Sequence, residues 1–139
     1  MGTSIRNIAV DCADPYALAR FWAGVFDCPV DPEFGPDDEE LFIAPPTAAR
    51  LYFQRVPEPK TVKNRVHICL EPELPRDREV ERVRALGATV VTDRREPDGT
   101  GWVVLADPEG NEFCVLRSAA ERHPGAGVAP PLPGVVTGE

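Results

Sequence analysis

Residues 64–72, NRVHICLEP, mark the point at which the order of predicted elements begins a second time. Their β-branched and apolar side chains predict a strand over 65–71, with His67 near its middle. The elements predicted after this strand are, in order, a helix over 75–86 and strands over 88–92, 100–106 and 112–117. The second half of the chain is therefore predicted to run strand, helix, strand, strand, strand.

The first half of the chain has the same predicted order. A strand is predicted over 4–13, and Asp14 and Pro15 then suit a helix start, because aspartate caps free backbone N–H groups and proline needs none in the first turn. The helix is predicted to end near Asp27, since apolar residues keep helical spacing up to that point: Leu18, Phe21, Trp22, Val25 and Phe26. Strands are then predicted near Val30, over 40–44 and over 50–56. Such an internal repeat indicates two modules, over about 4–56 and 65–117.

Overall composition limits the classes of function. The 139 residues are 42% hydrophobic, which is enough for one domain or for two small modules with a common core. The net charge of −8 opposes binding to nucleic acid or to an anionic membrane surface. No apolar run is long enough to span a bilayer, and the N-terminus lacks the pattern of a secretory signal. A cytoplasmic protein is predicted.

Cysteine usage agrees with that location. The spacing of the cysteines contains no CxxC pair, so reduced thiols are predicted rather than a disulfide framework; they are Cys12, Cys28, Cys69 and Cys114.

Residues 119–139 are rich in proline and glycine. They are predicted to form a tail without regular elements, following a single domain over 1–118.

The paired strand–helix–strand–strand–strand (βαβββ) modules, with the turn DPEGN at 107–111, resemble the vicinal oxygen chelate superfamily. This superfamily includes glyoxalase I, extradiol dioxygenases, fosfomycin-modifying enzymes and bleomycin-binding resistance proteins. The similarity to its glyoxalase-like members lies in LYFQRVPEPKTVKNRVHICLEP at 51–72, GATVV at 87–91 and LADPEGNEF at 105–113. The resemblance implies an α+β fold in which the two modules form a cupped, mixed sheet around a cavity. It also implies a homodimer.

In metal-dependent members, the first and last strands of each module supply ligands to a divalent ion such as Zn, Ni, Mn or Fe. The corresponding positions in this chain are Asn7, Gln54, His67 and Cys114. Asn7 stands where the resemblance implies histidine, and Cys114 where it implies glutamate. Because zinc takes imidazole, thiolate or carboxylate, only His67 and Cys114 are strong donors. We therefore expect no metal cofactor, and the alternative is a weak divalent site built on His67.

Without a metal, the same four positions are predicted to form a polar patch in an apolar cavity, as in many small-molecule sites. Phe53 and Trp102 are predicted among the cavity walls. The register of Phe53 against Gln54 stays open, because a slip of one residue exchanges the faces of a strand. His67 and Cys114 could also act as base and nucleophile if they lie close together.

The predicted function is binding of a small molecule in this cavity without a catalytic metal. The alternative is a metal-dependent lyase, isomerase or dioxygenase that uses His67. A third hypothesis is an interaction protein whose tail segment APPLPGVV docks on a partner, since proline-rich segments are already extended. The expected partners are a small-molecule ligand and a second copy of the chain, and not nucleic acid or a membrane.

Overall fold

The computed structural model describes residues 1–46 and 48–123. The chain has an α+β fold whose elements are β1 (Asn7–Cys12), α1 (Pro15–Phe26), β2 (Glu40–Ile43), β3 (Arg50–Arg55), β4 (Ile68–Leu70), α2 (Arg76–Leu86), β5 (Thr89–Asp93), β6 (Val103–Ala106), β7 (Glu112–Val115) and α3 (Ala119–Arg122). The described residues form two compact units: unit 1 contains residues 1–46, 48–62 and 108–110, and unit 2 contains residues 63–107 and 111–123. No helix among the described residues is long and apolar enough to cross a membrane.

Helix α1 of unit 1 begins and ends as its sequence predicts. The side chain of Asp14 accepts a hydrogen bond from the backbone N–H of Ala17 at 3.1 Å, and Pro15 occupies the first turn. The helix ends at Asp27, which adopts a left-handed conformation with φ 52°. The predicted apolar stripe is buried, apart from the partly exposed Phe26.

The sheet of unit 1 has the strand order β1-β3-β2, with β1 parallel and β2 antiparallel to β3. Alternate residues of β2 and β3 are buried, and α1 packs on these two strands. The buried set is Leu41, Ile43, Leu51 and Phe53. Burying each such side chain stabilises the fold by about 1.5–3 kcal/mol, so this layer between helix and sheet is the main core of unit 1.

The strand predicted near Val30 is not present in the structure. Residues 27–39 instead form turns, with the N–H of Phe34 donating to Asp31 O at 3.0 Å and the N–H of Asp38 donating to Gly35 O at 3.1 Å. Three prolines in this segment, Pro29, Pro32 and Pro36, have no N–H for a strand ladder, which explains the difference. Unit 1 therefore runs βαββ, whereas unit 2 has the complete βαβββ order.

Glu109 connects the turn at 107–111 with the start of α1. Its two carboxylate oxygens accept the backbone N–H groups of Ala13 and Asp14 at 2.7 and 2.9 Å. These N–H groups precede the first turn of the helix, where negative charge is favourable. Residues 108–110 consequently belong to unit 1 although they lie between two strands of unit 2.

The sheet of unit 2 has the strand order β4-β7-β6-β5, in which only β4 and β7 are parallel neighbours. Its buried side faces α2, which packs on β7 and contributes Val80 and Val83 to the core. The sheet residues of this core are Leu70, Val103, Leu105, Phe113 and Val115. Strand β4 is shorter than predicted, since its ladder with β7 covers only Ile68–Leu70. His67 therefore lies just before the strand.

The predicted hairpin between β6 and β7 is confirmed. Gly110 has φ 89°, and the buried carboxylate of Asp107 accepts the backbone N–H of Asn111 at 3.0 Å and its side-chain amide at 2.9 Å. The N–H of Asp107 in turn donates to Asn111 O at 2.9 Å. This local network fixes the direction in which β7 returns along β6.

A buried arginine at the start of α2 holds the long loop between β5 and β6. Arg76 is 4% exposed, and its Nη1 donates to the carbonyl oxygens of Gly99, Thr100 and Gly101 at 3.0, 3.1 and 2.9 Å. Its Nε donates to Asp77 at 3.0 Å. A buried cation is tolerated only when it is paired and hydrogen-bonded, and both conditions are met here.

The segment Ala119–Arg122 forms the short helix α3, which corrects the prediction that no regular element follows residue 118. Ser118 and Glu121 form a capping box, in which each side chain accepts the other residue's backbone N–H. Glu121 Oε1 also accepts the N–H of Arg76 at 2.7 Å and so caps α2, whose own N-cap Pro75 offers no side-chain acceptor. The remaining tail prediction, over 124–139, lies outside the described residues.

We expect Glu121→Gln to lower the free energy of unfolding by about 1 kcal/mol at neutral pH, because both helix caps lose a charged acceptor. Partial burial raises the pKa of Glu121, but N–H donation from Ser118 and Arg76 outweighs it and the pKa is lowered. The carboxylate therefore stabilises the fold above its unfolded pKa, near 4.5, and this stabilisation is lost as the pH falls. Urea unfolding at several pH values should show the difference between wild type and variant shrinking in acid. Glu81→Gln, on the exposed side of α2, is the control, and an equal loss there would contradict the capping role.

Candidate functional site

The six residues that the sequence predicts for a binding site are divided between the two units. Asn7, Phe53 and Gln54 lie in unit 1, and His67, Trp102 and Cys114 lie in unit 2. Each unit offers one side of its sheet that is not covered by its long helix.

The structure gives the register of β3. Phe53 is completely buried and pairs with Leu41 on the side that faces α1. Gln54 is partly exposed and lies on the other side of the strand, because successive side chains of a strand alternate. Phe53 is thus a core residue of unit 1, which corrects its prediction as a wall of the binding surface.

The side of the unit 1 sheet that faces away from α1 carries four polar residues of β1 and β3, one acidic residue of β2 and three aromatic rings. We call it the open face of unit 1 and define it by Asn7, Asp11, Phe34, Glu40, Phe42, Arg50, Tyr52 and Gln54. Phe42 and Tyr52 pair directly across β2 and β3, and their rings are stacked with centroids 6.5 Å apart and planes 7° apart. Phe34 meets Phe42 edge to face at 5.4 Å. The guanidinium of Arg50 lies 4.2 Å from the centre of the Phe42 ring, a cation–π contact.

Asn7 and Gln54 lie at opposite ends of the paired segment of β1 and β3. Asn7 pairs with Arg50, whose Nη2 donates to Asn7 Oδ1 at 3.5 Å. Gln54 pairs with Asp11, and its Nε2 donates to Asp11 Oδ1 at 3.0 Å. Four residues along a strand correspond to about 13 Å, so the two amides cannot ligate one ion.

In unit 2, the side of the sheet away from α2 carries a row of directly paired residues. We call it the cysteine face and define it by Cys69, Cys114, Val104 and Thr92, each the partner of the next. Trp102 immediately precedes β6 and is partly exposed. His67 immediately precedes β4. The ligand atoms of His67, Cys69 and Cys114 lie within 4.8 Å of one another.

The three members of this cluster differ in exposure. His67 and Cys69 are exposed, whereas Cys114 is 6% exposed. Burial and, after it, the neighbouring Cys69 raise the pKa of the Cys114 thiol to about 11, while Lys63 lowers it. Cys114 is therefore a thiol at neutral pH. A protonated, buried sulfur is a poor nucleophile, so this arrangement opposes the hypothesis of a His67–Cys114 nucleophile and base.

The residues that the resemblance assigns to a divalent ion do not fit one. The two amides in unit 1 are engaged with Arg50 and Asp11, and they lie too far apart to act together. Hard ions such as Mn²⁺ prefer several carboxylate or water oxygens, and none of the four predicted positions offers a carboxylate. Glu112 lies on the cysteine face but accepts the backbone N–H of Asn64 at 2.9 Å and is not part of the cluster.

Sequence reasoning missed Cys69, Phe34 and Tyr52 as site features. Cys69 follows His67 by two residues in the run HICL, and this spacing already places both side chains on one side of a strand. In unit 1, Phe42 and Tyr52 each lie between two buried residues of a strand. This alternation likewise places their side chains on the side of the sheet away from the core. For Phe34, which lies in a loop, the sequence contains no periodic signal.

Comparison with known proteins agrees with this architecture. A glyoxalase/bleomycin resistance protein/dioxygenase family enzyme from Burkholderia phytofirmans PsJN is 17% identical, with 81% of this chain and 97% of that one covered and a TM-score of 0.62. A variant of the fosfomycin resistance protein FosX from Listeria monocytogenes, solved with Mn(II) and 1S,2S-dihydroxypropylphosphonic acid, is 17% identical, with coverage of 88% and 95% and a TM-score of 0.64. The oxidase ChaP-H2 is 22% identical, with coverage of 84% and 94% and a TM-score of 0.58. At these identities the likeness shows the fold alone.

No curated protein is similar enough to count as a match. The model of one protein family, described as a glyoxalase-like domain, matches residues 7–116 and therefore most of the chain. The match spans β1 to β7, including the cysteine face and the open face of unit 1. Together with the shared fold, it confirms the resemblance that the paired modules and the DPEGN turn indicate. The chain belongs to the glyoxalase-like domain family.

Proposed function

We propose that this protein binds a flat, aromatic small molecule on the open face of unit 1, without an oxygen-chelated divalent ion. The observation that carries the proposal is the platform of three aromatic rings, Phe34, Phe42 and Tyr52, on the side of the sheet that α1 leaves uncovered. All three side chains are only partly buried. Small-molecule sites commonly combine such apolar surface with a few polar groups that fix orientation.

The platform is preorganised by contacts within unit 1. Phe42 is held on one side by Phe34, on another by stacking with Tyr52, and by the guanidinium of Arg50. Rings fixed in this way lose little conformational entropy when a ligand stacks on them. Ala9, the partner of Tyr52 in β1, is small and leaves room beside the ring.

The edge of the platform favours a ligand with positive charge or hydrogen-bond donors. Glu40 and Gln54 are direct partners across β2 and β3, and Asp11 is the partner of Gln54 in β1. The neighbouring carboxylate of Glu40 raises the pKa of Tyr52, which favours the protonated hydroxyl. The net charge of −8 acts in the same direction at long range.

The metal-dependent alternative has less support. It requires a donor set that suits a hard divalent ion, and the predicted positions supply two amides, one imidazole and one thiol. FosX and ChaP-H2 are named as a resistance protein and an oxidase, so the same fold serves more than one chemistry. For this reason the fold does not favour an enzyme over a binding protein.

Ligand binding should depend on the platform. With proflavine as a flat aromatic cation, we expect binding to wild type and a loss of about fivefold in affinity in Tyr52→Ala, because a stacking partner contributes about 1 kcal/mol beyond its buried area. Phe42→Ala should weaken binding at least as much, since Phe42 is the central ring. Fluorescence titration gives the dissociation constants.

Tyr16→Ala is the matched control. Tyr16 is an equally large ring on α1, where it lies near Arg20 and away from the open face. Its removal should leave proflavine binding unchanged. The proposal fails if wild type binds neither proflavine nor a panel of neutral and anionic flat aromatics, or if Tyr16→Ala and Tyr52→Ala weaken binding equally.

A further inference from the structure

We infer that His67, Cys69 and Cys114 form a binding site for a thiophilic d¹⁰ metal ion of the Zn²⁺ type on the cysteine face. This site is separate from the proposed aromatic site, since all three donors belong to unit 2. It also differs from the ligand set that the resemblance implies. That set has no counterpart of Cys69 and draws half of its positions from the first module.

The backbone brings the donors together. Cys69 and Cys114 are direct partners in the parallel ladder of β4 and β7, so their side chains leave the sheet on the same side. His67 lies just before β4, and its ligand nitrogen is within 4.8 Å of both sulfurs. The short ladder places the imidazole at the free end of β4, where it is exposed and not fixed by sheet pairing.

The distances suit a first-row ion. Bonds of about 2.3 Å to sulfur and 2.0 Å to nitrogen in a tetrahedral zinc site place the donor atoms about 3.5–3.8 Å apart. The donor atoms here lie within 4.8 Å of one another. Side-chain rotations that bring the donor atoms about 1 Å closer together would therefore give the tetrahedral distances. Cys69 and Cys114 already lie side by side, since they are direct partners in the ladder of β4 and β7.

The donor types select the ion. Two thiolates and one imidazole are the ligands that Zn²⁺ and other thiophilic ions prefer, and they discriminate against Mg²⁺ and Mn²⁺. Three protein donors leave a fourth position on a tetrahedral ion. Because His67 and Cys69 are exposed, this position is accessible from solvent.

The charges near the cluster set the pH dependence of binding. Each cysteine must lose its proton to ligate, and burial makes this costly for Cys114. Lys63 lies close enough to lower the pKa of Cys114, and its charge also opposes a cation. Glu112, on the same side, is engaged with the backbone of Asn64. Metal affinity should therefore rise with pH, and binding should release protons.

The test uses the full chain, reduced and without a polyhistidine tag, titrated with Cd²⁺ and with Zn²⁺. We expect one equivalent of Cd²⁺ to produce thiolate-to-metal charge-transfer absorption, and Zn²⁺ to displace it. Cys69→Ser should abolish the absorption, and His67→Ala should weaken binding at least tenfold. Both residues are exposed, so these variants should fold, and circular dichroism checks this.

Cys28→Ser is the matched control, because Cys28 is a partly buried thiol of unit 1 outside the cluster. It should bind Cd²⁺ as wild type does. The inference is overturned if wild type shows no charge-transfer absorption with stoichiometric Cd²⁺, if Cys28→Ser removes it, or if folded Cys69→Ser retains it.

Discussion

Replacing Gly101 by alanine is expected to lower the free energy of unfolding by about 3 kcal/mol or more. Gly101 has φ 95°, a conformation that side-chain-bearing residues rarely adopt. A Cβ atom there would lie 2.0 Å from the carbonyl oxygen of Arg94 and 2.9 Å from its carbonyl carbon. Because these are backbone atoms, the clash cannot be relieved by rotating a side chain.

The clash would also disturb bonds that close the loop between β5 and β6. Arg94 N donates to Trp102 O at 2.9 Å, and the carbonyl of Gly101 accepts from Arg76. Gly99→Ala is the control, since Gly99 has nearly the same φ, 92°, with nothing within 4 Å of the added Cβ. It should cost only about 1 kcal/mol, the strain of the backbone conformation. Equal losses for the two variants in urea unfolding would show that the steric contact with Arg94 does not matter.

Arg76→Met is expected to lower the free energy of unfolding by about 3–5 kcal/mol, because it keeps an unbranched apolar stem but removes every side-chain donor. Three loop carbonyls would lose their partner, and the one at Gly101 is buried. Asp77 would keep only Arg95, which donates to it at 3.2 Å.

Arg84→Met is the matched control on the same helix. Arg84 is exposed and pairs with Glu81 at 3.2 Å, an arrangement that contributes about 0.5 kcal/mol or less. Urea unfolding of both variants gives the comparison. A similar, small loss in both would mean that water replaces the guanidinium of Arg76 and that the loop does not depend on it.

The elements with strong local signals could be predicted from the sequence. Asp14 and Pro15 fixed the start of α1, since capping depends only on neighbouring residues, and Gly87 marked the end of α2 correctly. Val30 shows the limit of such signals. Its β-branched side chain favours a strand, but the prolines around it remove the N–H groups that a neighbouring strand would need.

The site was predicted less completely, because strand faces depend on register. Phe53 and Gln54 are adjacent, and only the pairing of Phe53 with Leu41 against α1 decides which of them is buried. Cys69 was overlooked as a site residue because the resemblance directs attention to four positions and not to their neighbours. Arg76 has no sequence signal as a buried residue, since an arginine in a first helical turn is ordinarily exposed.

The contact of Glu109 with Ala13 and Asp14 has a consequence for the way the chain is made. The two ends of this contact are 96 and 95 residues apart, so the ribosome must synthesise most of unit 2 before α1 receives its carboxylate. Until then, unit 1 lacks three of its own residues. A gene divided between the two repeats would therefore not yield two halves that each contain a complete unit, because residues 108–110 of unit 1 would be encoded with the second half.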